Sequence, residues 1–275
     1  MKKVFLLIFA LVTTGSAMSQ AAREITGSVV DEYGNSVKYA TIGIPGKRTG
    51  TLTDANGAFT LEAEPGDTLL VSHVSYDERK FIAKELPTEK AQIVMCAKEL
   101  KEAVVYSGKR KNSKLAGRGM RVPGGTTMWT TDNIGCEIGS IIETERIFEV
   151  DVITFKVRHN SIDGAKLSIN IYRADKEEGE FTNMLCKPIY TEIPASNEKQ
   201  EINIKVNDVV IEPGKWFVAL KLVDYKRDET KEGEKPEQIF FPLYLKSSYL
   251  RKGIMDTLEE CPVNMGLTIK GVEYK

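Results

Sequence analysis

The chain has 275 residues, 41% of them apolar and 28% charged, which is the make-up of a folded protein and excludes a disordered one. Its 38 basic and 39 acidic side chains leave a formal net charge of −1. That balance supplies no global field to recruit nucleic acid or an anionic membrane surface.

Lys2 and Lys3 precede the apolar run Val4 to Val12, and small residues follow, with Ala17 and Ser19 spaced as at a cleavage point. This pattern predicts a secretory signal peptide over residues 1–19, since nine apolar residues are too few to span a bilayer. No later stretch is long and apolar enough for a transmembrane span, so the expected address is exported: periplasm, outer membrane or cell surface. Export permits disulfides. Cys96, Cys136, Cys186 and Cys261 are widely spaced with no CxxC, and they read either as reduced thiols or as one bridge within the second half.

From residue 20 to 106, short β-favouring runs alternate with turn signals and no helical period intervenes. "EITGSVVD" alternates and "EYGNS" turns; "YATIGIP" ends at Pro45; "GTLT" and "AFTLEA" flank "DANG"; "TLLVSHV" follows Pro65-Gly66-Asp67; "QIVMCA" closes the segment. About seven strands of this kind predict a small β-sandwich. In "TDANG", Asp54 and Asn56 are too few oxygens for calcium, whereas Asn56-Gly57 suits a positive-φ turn, so the stretch predicts a hairpin turn with Phe59 entering the core.

The set Gly27, Val29, Asp31, Gly34, Val37, Ala40, Thr53-Asp54, Gly57, Phe59, Leu69, Val71, Ser72 and Tyr76 resembles the carboxypeptidase regulatory-like domain, a transthyretin-like sandwich. Ser75 stands where that family usually has Gly. Such domains also form N-terminal extensions of TonB-dependent outer-membrane receptors, and "ELKEAVVYSGK" is similar to the connector that follows them there. The remaining chain shows no series of long barrel strands, so the resemblance does not imply transport. Nor does it imply peptidase activity: the domain is an accessory module in that family, and no HExxH motif is present.

Residues 107–125, "SGKRKNSKLAGRGMRVPGG", are rich in Gly, Lys and Arg and predict a solvated basic linker. From 126 to 275 the chain is again β-rich. In "RIFEVDVITFKVRHN" the alternation changes phase after Val152, which predicts a β-bulge or a strand passing between sheets. "KLSINIY" and "EINIKV" alternate, "KWFVALKLV" is apolar on both faces as a central strand would be, and Pro242 in "QIFFPLYL" predicts an edge or a bulge. About eight strands predict a second, jelly-roll-like β-sandwich. The fold class is therefore all-β, two sandwiches in tandem.

His73 and His159 are the only histidines, and neither lies in a nucleophile motif. "DYKRDETKEGEKPE" mixes both signs and reads as a solvated loop. No catalytic residue, metal ligand or cofactor motif emerges. Trp129, at the entrance to the second domain, and Tyr172 and Tyr190 are the candidate ligand-binding aromatics. Trp216, on the most apolar strand, reads as core. The expectation is a non-catalytic envelope binding or adaptor protein with a protein or glycan partner. The alternatives are a glycan hydrolase with carboxylates in the second domain, or a structural component that associates with an outer-membrane receptor. Oligomeric state is left open.

Overall fold

The computed structural model describes residues 21–99, 108–174, 183–227 and 236–274. Residues 1–19, most of the connector-like stretch and the centre of the stretch 224–237, expected above to be a signal peptide, a connector and a solvated loop, lie outside the described residues. Among the described residues, no helix is long and apolar enough to cross a membrane.

The N-terminal unit is built from β1 (Arg23–Asp31), β2 (Thr41–Gly43), β3 (Gly50–Leu52), β4 (Ala58–Ala63), β5 (Thr68–His73), β6 (Tyr76–Ile82) and β7 (Ala91–Met95). One sheet runs β4-β1-β7, with β1 and β7 parallel; the other runs β3-β2-β5-β6. Inward residues at period two, among them Ile25, Val29, Ile42, Phe59, Leu61, Leu69, Val71 and Ile93, form one core between them.

The "TDANG" turn forms as expected. The backbone N–H groups of Asn56 and Ala58 both donate to Asp54 Oδ1 at 2.8 Å, Gly57 adopts φ +76°, and Phe59 is buried. The flanking strands, however, do not pair as a hairpin. β3 pairs with β2 while β4 pairs with β1, so the turn carries the chain from one sheet to the other. Buried Thr53 fixes that crossing: its hydroxyl donates to the Val37 carbonyl at 2.7 Å and accepts from the Ala40 N–H at 2.8 Å.

The second unit comprises β8 (Arg110–Ala116), β9 (Met120–Thr130), β10 (Glu137–Thr144), β11 (Phe148–Val157), β12 (His159–Asn160), β13 (Ala165–Arg173), β14 (Ile189–Ile193), β15 (Gln200–Ile211), β16 (Gly214–Asp224), β17 (Gln238–Arg251), β18 (Glu259–Asn264) and β19 (Thr268–Tyr274). A large sheet runs β12-β17-β10-β16-β13-β14, with β9 and β18 also pairing with β17. A smaller sheet runs β15-β11-β19-β8. Phe148, Phe155, Ile153 and Ile269 of the small sheet meet Ile138, Ile142, Val218, Leu220 and Phe241 of the large one in a single core.

The phase change in β11 is a bulge: its register against both β15 and β19 shifts between Val150 and Val152. Both halves of the strand thereby point apolar residues inward, with Phe148, Val150, Ile153, Phe155 and Val157 all buried. Pro242 likewise marks a bulge, between Pro242 and Tyr244, inside a strand flanked by β9 on one side and by β12 and β18 on the other rather than at an edge.

The basic linker is a correction. Within residues 107–125, β8 pairs with β19 along its length and β9 begins at Met120 against β17. β8 is an edge strand. Its lysines and arginine stay in water while Leu115 packs on the core, so a polar composition is what its position demands and it reads like a linker.

Thr53→Val should cost about 1–3 kcal/mol, because it leaves the Ala40 N–H and Val37 carbonyl buried without partners. Urea unfolding of variant and wild type measures this, and equal stability would show that the crossing does not rest on that hydroxyl.

Candidate functional site

The two units meet along β2, β3 and the turn that precedes them. Tyr39 is in the left-handed region at φ +58°, a conformation few non-glycine residues adopt, and this directs its buried ring at the second unit. Its hydroxyl donates to Asp224 Oδ2 at 2.9 Å and accepts from Lys166 Nζ at 3.2 Å, and its ring meets Tyr190 edge-on at 5.2 Å. Burial, together with the Asp224 carboxylate, pushes the Tyr39 phenol well above its usual pKa. Lys221 Nζ donates to Thr41 Oγ1 at 2.9 Å. Gly43 admits Met255: a Cβ there would lie 2.0 Å from the methionine Cγ. An ion pair between Arg48 and Asp256 at 3.6 Å lies at the exposed rim and contributes little.

Under this joint, the outward face of the large sheet carries a row of charge. Strand register sets Arg251, Glu137, Lys221, Ser168 and Tyr190 directly opposite one another across β17, β10, β16, β13 and β14. Glu137 is 1% exposed. Its Oε1 accepts from Asn170 Nδ2 at 2.6 Å and from the Tyr172 hydroxyl at 2.9 Å, and its Oε2 accepts from Arg251 Nε at 3.1 Å. Burial pushes the Tyr172 phenol far up and pulls the Lys221 ammonium down, the latter against the attraction of Glu137. Arg251 also donates from Nη1 to the Asp256 carbonyl at 2.6 Å, holding the segment that brings Met255 and Asp256 to the N-terminal unit. Both Glu137 oxygens are engaged and shielded from water, so this carboxylate is arranged to order the sheet face and the joint, not to exchange protons with a substrate.

The predicted aromatics fall in three different places. Trp129 is buried, 4% exposed, and packs edge-on against Phe241 at 5.3 Å inside the sandwich core. A ligand platform needs an open ring face, so that expectation fails for Trp129. Tyr172 is consumed by the Glu137 cluster, and Tyr190 is half-buried against Tyr39 in the joint. Tyr172 and Tyr190 thus share one sheet face, with Trp129 on the other. Trp216 is core as expected, its Nε1 donating to the Glu212 carbonyl at 2.8 Å. Of the two readings left open for the cysteines, the structure has the reduced one: all four are free thiols, and Cys136 donates to the Lys252 carbonyl. Among the described residues, no group of His, Cys, Asp and Glu has a metal-binding arrangement.

Two open concavities on the described surface lie away from this joint. One, of about 550 Å³, is a shallow depression along β1 and β7 lined by Thr26, Ser28, Lys90 and Gln92. The other, of about 330 Å³, lies between β9, β11, β15 and β17 and is lined by Arg121, Lys156, Arg158, Lys199 and Gln200 above Pro242 and Tyr244. Sequence reasoning missed both the Glu137 row and this groove. Each is assembled from residues far apart in the chain, and the only local trace was the basic run that includes Arg121.

Residues 25–105 match the sequence model of the CarboxypepD_reg-like domain. The N-terminal sandwich is a carboxypeptidase regulatory-like domain. A stretch of 129 residues, 44% of the chain, is 33% identical to the TonB-dependent receptor SusC of Bacteroides thetaiotaomicron, and spans only 12% of that receptor's length. Among solved structures, a family two carbohydrate esterase from Cellvibrio japonicus aligns at a TM-score of 0.23 with 10% identity, over 61% of this chain and 36% of that one. A structure of carbohydrate-binding modules of the β-sandwich superfamily aligns at 0.21 with 13% identity, over 88% of this chain and 99% of that one. At those scores neither bears on the fold or activity of this chain. The regulatory-like domain supplies Tyr39, Thr41 and Gly43 to the joint, so the module's β2–β3 face is committed to its neighbour within the chain.

Removing one member of the buried cluster should be severe. Glu137→Ala strands Arg251 and the Tyr172 hydroxyl and should cost about 3–5 kcal/mol, whereas Glu137→Met with Arg251→Met should recover much of that loss. Chemical denaturation tests both; a Glu137→Ala protein as stable as wild type would remove the cluster's structural role.

His73 gives the joint a pH signature. Burial first, then the neighbouring Lys221 and Lys98, lower its pKa from 6.5 to about 4, and its Nδ1 accepts from the Ser75 N–H at 3.2 Å. The unfolded chain binds a proton near pH 6.5 that the folded chain refuses until about 4. This contribution to stability is therefore full above pH 6.5 and is lost as pH falls toward 4, by about 3 kcal/mol at most. The difference in stability between wild type and His73→Gln should change across that window; a constant difference would show that His73 titrates normally.

Proposed function

We propose that this chain is an exported, non-catalytic binding or adaptor protein of the bacterial cell envelope, with a glycan or an envelope protein as its partner. The observation that carries this reading is the state of Glu137. The charged cluster on the large sheet is closed by Asn170, Tyr172 and Arg251 and covered by the regulatory-like domain, so the second sandwich spends its buried carboxylate on architecture. What faces solvent is shallow and side-chain lined, which suits recognition better than bond cleavage.

Three further features support the envelope setting. The N-terminal sequence has the n-region, apolar run and small residues of a signal peptide. The regulatory-like domain is an accessory module. Part of the chain is similar to part of a TonB-dependent receptor, which favours an association at that surface. Where the partner is a protein, the polar edge strand β8 and the loops at the ends of the sandwiches are the surfaces available to it.

Expressed with residues 1–19 in a Gram-negative host, the protein should be recovered from the envelope or periplasmic fraction with its N-terminus at or near Gln20, as read by intact-mass spectrometry. Recovery from the cytoplasm with Met1 in place would overturn the export reading. Incubated with a glycan panel, the mature chain should shift its melting temperature with a binding class and return the saccharide uncleaved. Release of reducing ends that disappears in a carboxylate variant would make it a hydrolase instead.

A further inference from the structure

The small sheet ends in a strand with one open side. β15 pairs with β11 and with no other strand. From Gln200 to Lys205 it runs without a bulge, in register with Val157 to Val152. Among the described residues, no backbone group bonds to this run from the far side. The regulatory-like domain packs against Lys166, Lys221 and Tyr190, on the side of the large sheet away from β15. An open row of N–H and C=O groups is a template for another strand, and proteins blunt it with Pro, short strands or charges that repel a second copy. β8, the other edge of the same sheet, is blunted in that way: its charges are Arg110, Lys111 and Lys114, so two copies would set cation against cation. β15 contains no Pro, and its charges are of both signs.

Alternation puts Glu201, Asn203 and Lys205 on the exposed face of β15, with Ile202 and Ile204 packed on the core. Glu201 meets Lys156 of β11 at 3.5 Å, both side chains half-exposed. Lys205 stands opposite Val152 and has no ion pair among the described residues. Two-fold symmetry restricts how two such edges can pair antiparallel: each residue must oppose one that points to the same face, so some residue sits opposite its own copy. With Asn203 in that place, Glu201 opposes the partner's Lys205, Lys205 opposes the partner's Glu201, and Ile202 opposes the partner's Ile204 on the inner face. Centring on Ile202 sets Lys199 against the partner's Lys205. Centring on Ile204 leaves both charges without an opposite and runs into the bulge after Lys205. One register therefore satisfies the charges and continues the apolar face at once.

We propose that β15 is a dimerisation edge: two copies of this chain pair antiparallel about Asn203 and join their small sheets, with each Glu201 held between its own Lys156 and the partner's Lys205. The paired run is short, Glu201 to Lys205 on each copy, so the dimer is weak and concentration-dependent. Isologous pairing uses each edge once, so association stops at two. Dimerisation of this kind is independent of which glycan or envelope protein the chain binds.

Sedimentation velocity of the chain from Gln20, between about 1 and about 300 μM, tests this. The sedimentation coefficient should rise with concentration from monomer to dimer. Lys205→Glu sets a carboxylate against Glu201, and Glu201→Lys sets an ammonium against Lys205. Each variant alone should dimerise about tenfold more weakly or worse, with an unchanged circular dichroism spectrum. Mixed in equal amounts the two should associate again, because the exposed face of each strand then carries one sign and the two signs face each other. Lys38→Glu, an equal charge change on the regulatory-like domain, should leave dimerisation as it is. A wild-type chain that stays monomeric across the range would overturn the inference, and so would a dimer that tolerates both reversals, since it would use another surface. Variants that lose the dimer singly and fail to associate when mixed would overturn the register about Asn203 and the inference with it. Association that grows past two copies would contradict an edge that each copy can use only once.

Discussion

A carboxylate removed from water must be neutralised, and the arrangement of this molecule follows from how Glu137 meets that demand. Isolated at 1% exposure it would cost several kcal/mol. Arg251 and Lys221 stand opposite it on the two flanking strands, and Asn170 and Tyr172 saturate one of its oxygens. This fixes β10, β13, β16 and β17 in one register, since a one-residue slip would turn the charged row into the apolar core. Arg251 then ties down the segment carrying Met255, and Lys221 reaches Thr41 of the regulatory-like domain. One buried charge thus orders the sheet, the loop and the seat for the neighbouring module.

Much of the fold was legible because period-two alternation is a local signal. The bulge in β11 could be read from the phase change after Val152, and the core role of β16 from apolar residues at consecutive positions. The turn at Asp54 was legible because Asn-Gly and an Asx side chain dictate its backbone. What that turn joins was not: whether β3 and β4 pair with each other or with β2 and β1 is decided by non-local packing. β8 was misread for the opposite reason. An edge strand exposes most of its side chains, so its composition is that of a linker and only the ladder with β19 distinguishes the two.

The candidate site was far less legible. Aromatic residues were the natural guess for a ligand surface, yet Trp129, Tyr172 and Tyr190 serve the core, the Glu137 cluster and the joint. Large rings are the most effective apolar groups to bury, and phenols are good partners for buried carboxylates, so residue type alone does not separate a platform from a strut. The charged groove draws on β9, β11 and β15, whose contributions are separated by dozens of residues, and none of its side chains sits in a motif.

Tyr39, Thr41 and Gly43 are built into the face that Glu137 organises, and this couples the regulatory-like domain to the second sandwich as one body. Differential scanning calorimetry of the chain from Gln20 tests it most directly. Coupled units should unfold in a single transition whose calorimetric and van't Hoff enthalpies agree, and Tyr39→Ala should split it in two. Two independent transitions in the wild type, unmoved by Tyr39→Ala, would contradict the account: the modules would then be joined by chain alone.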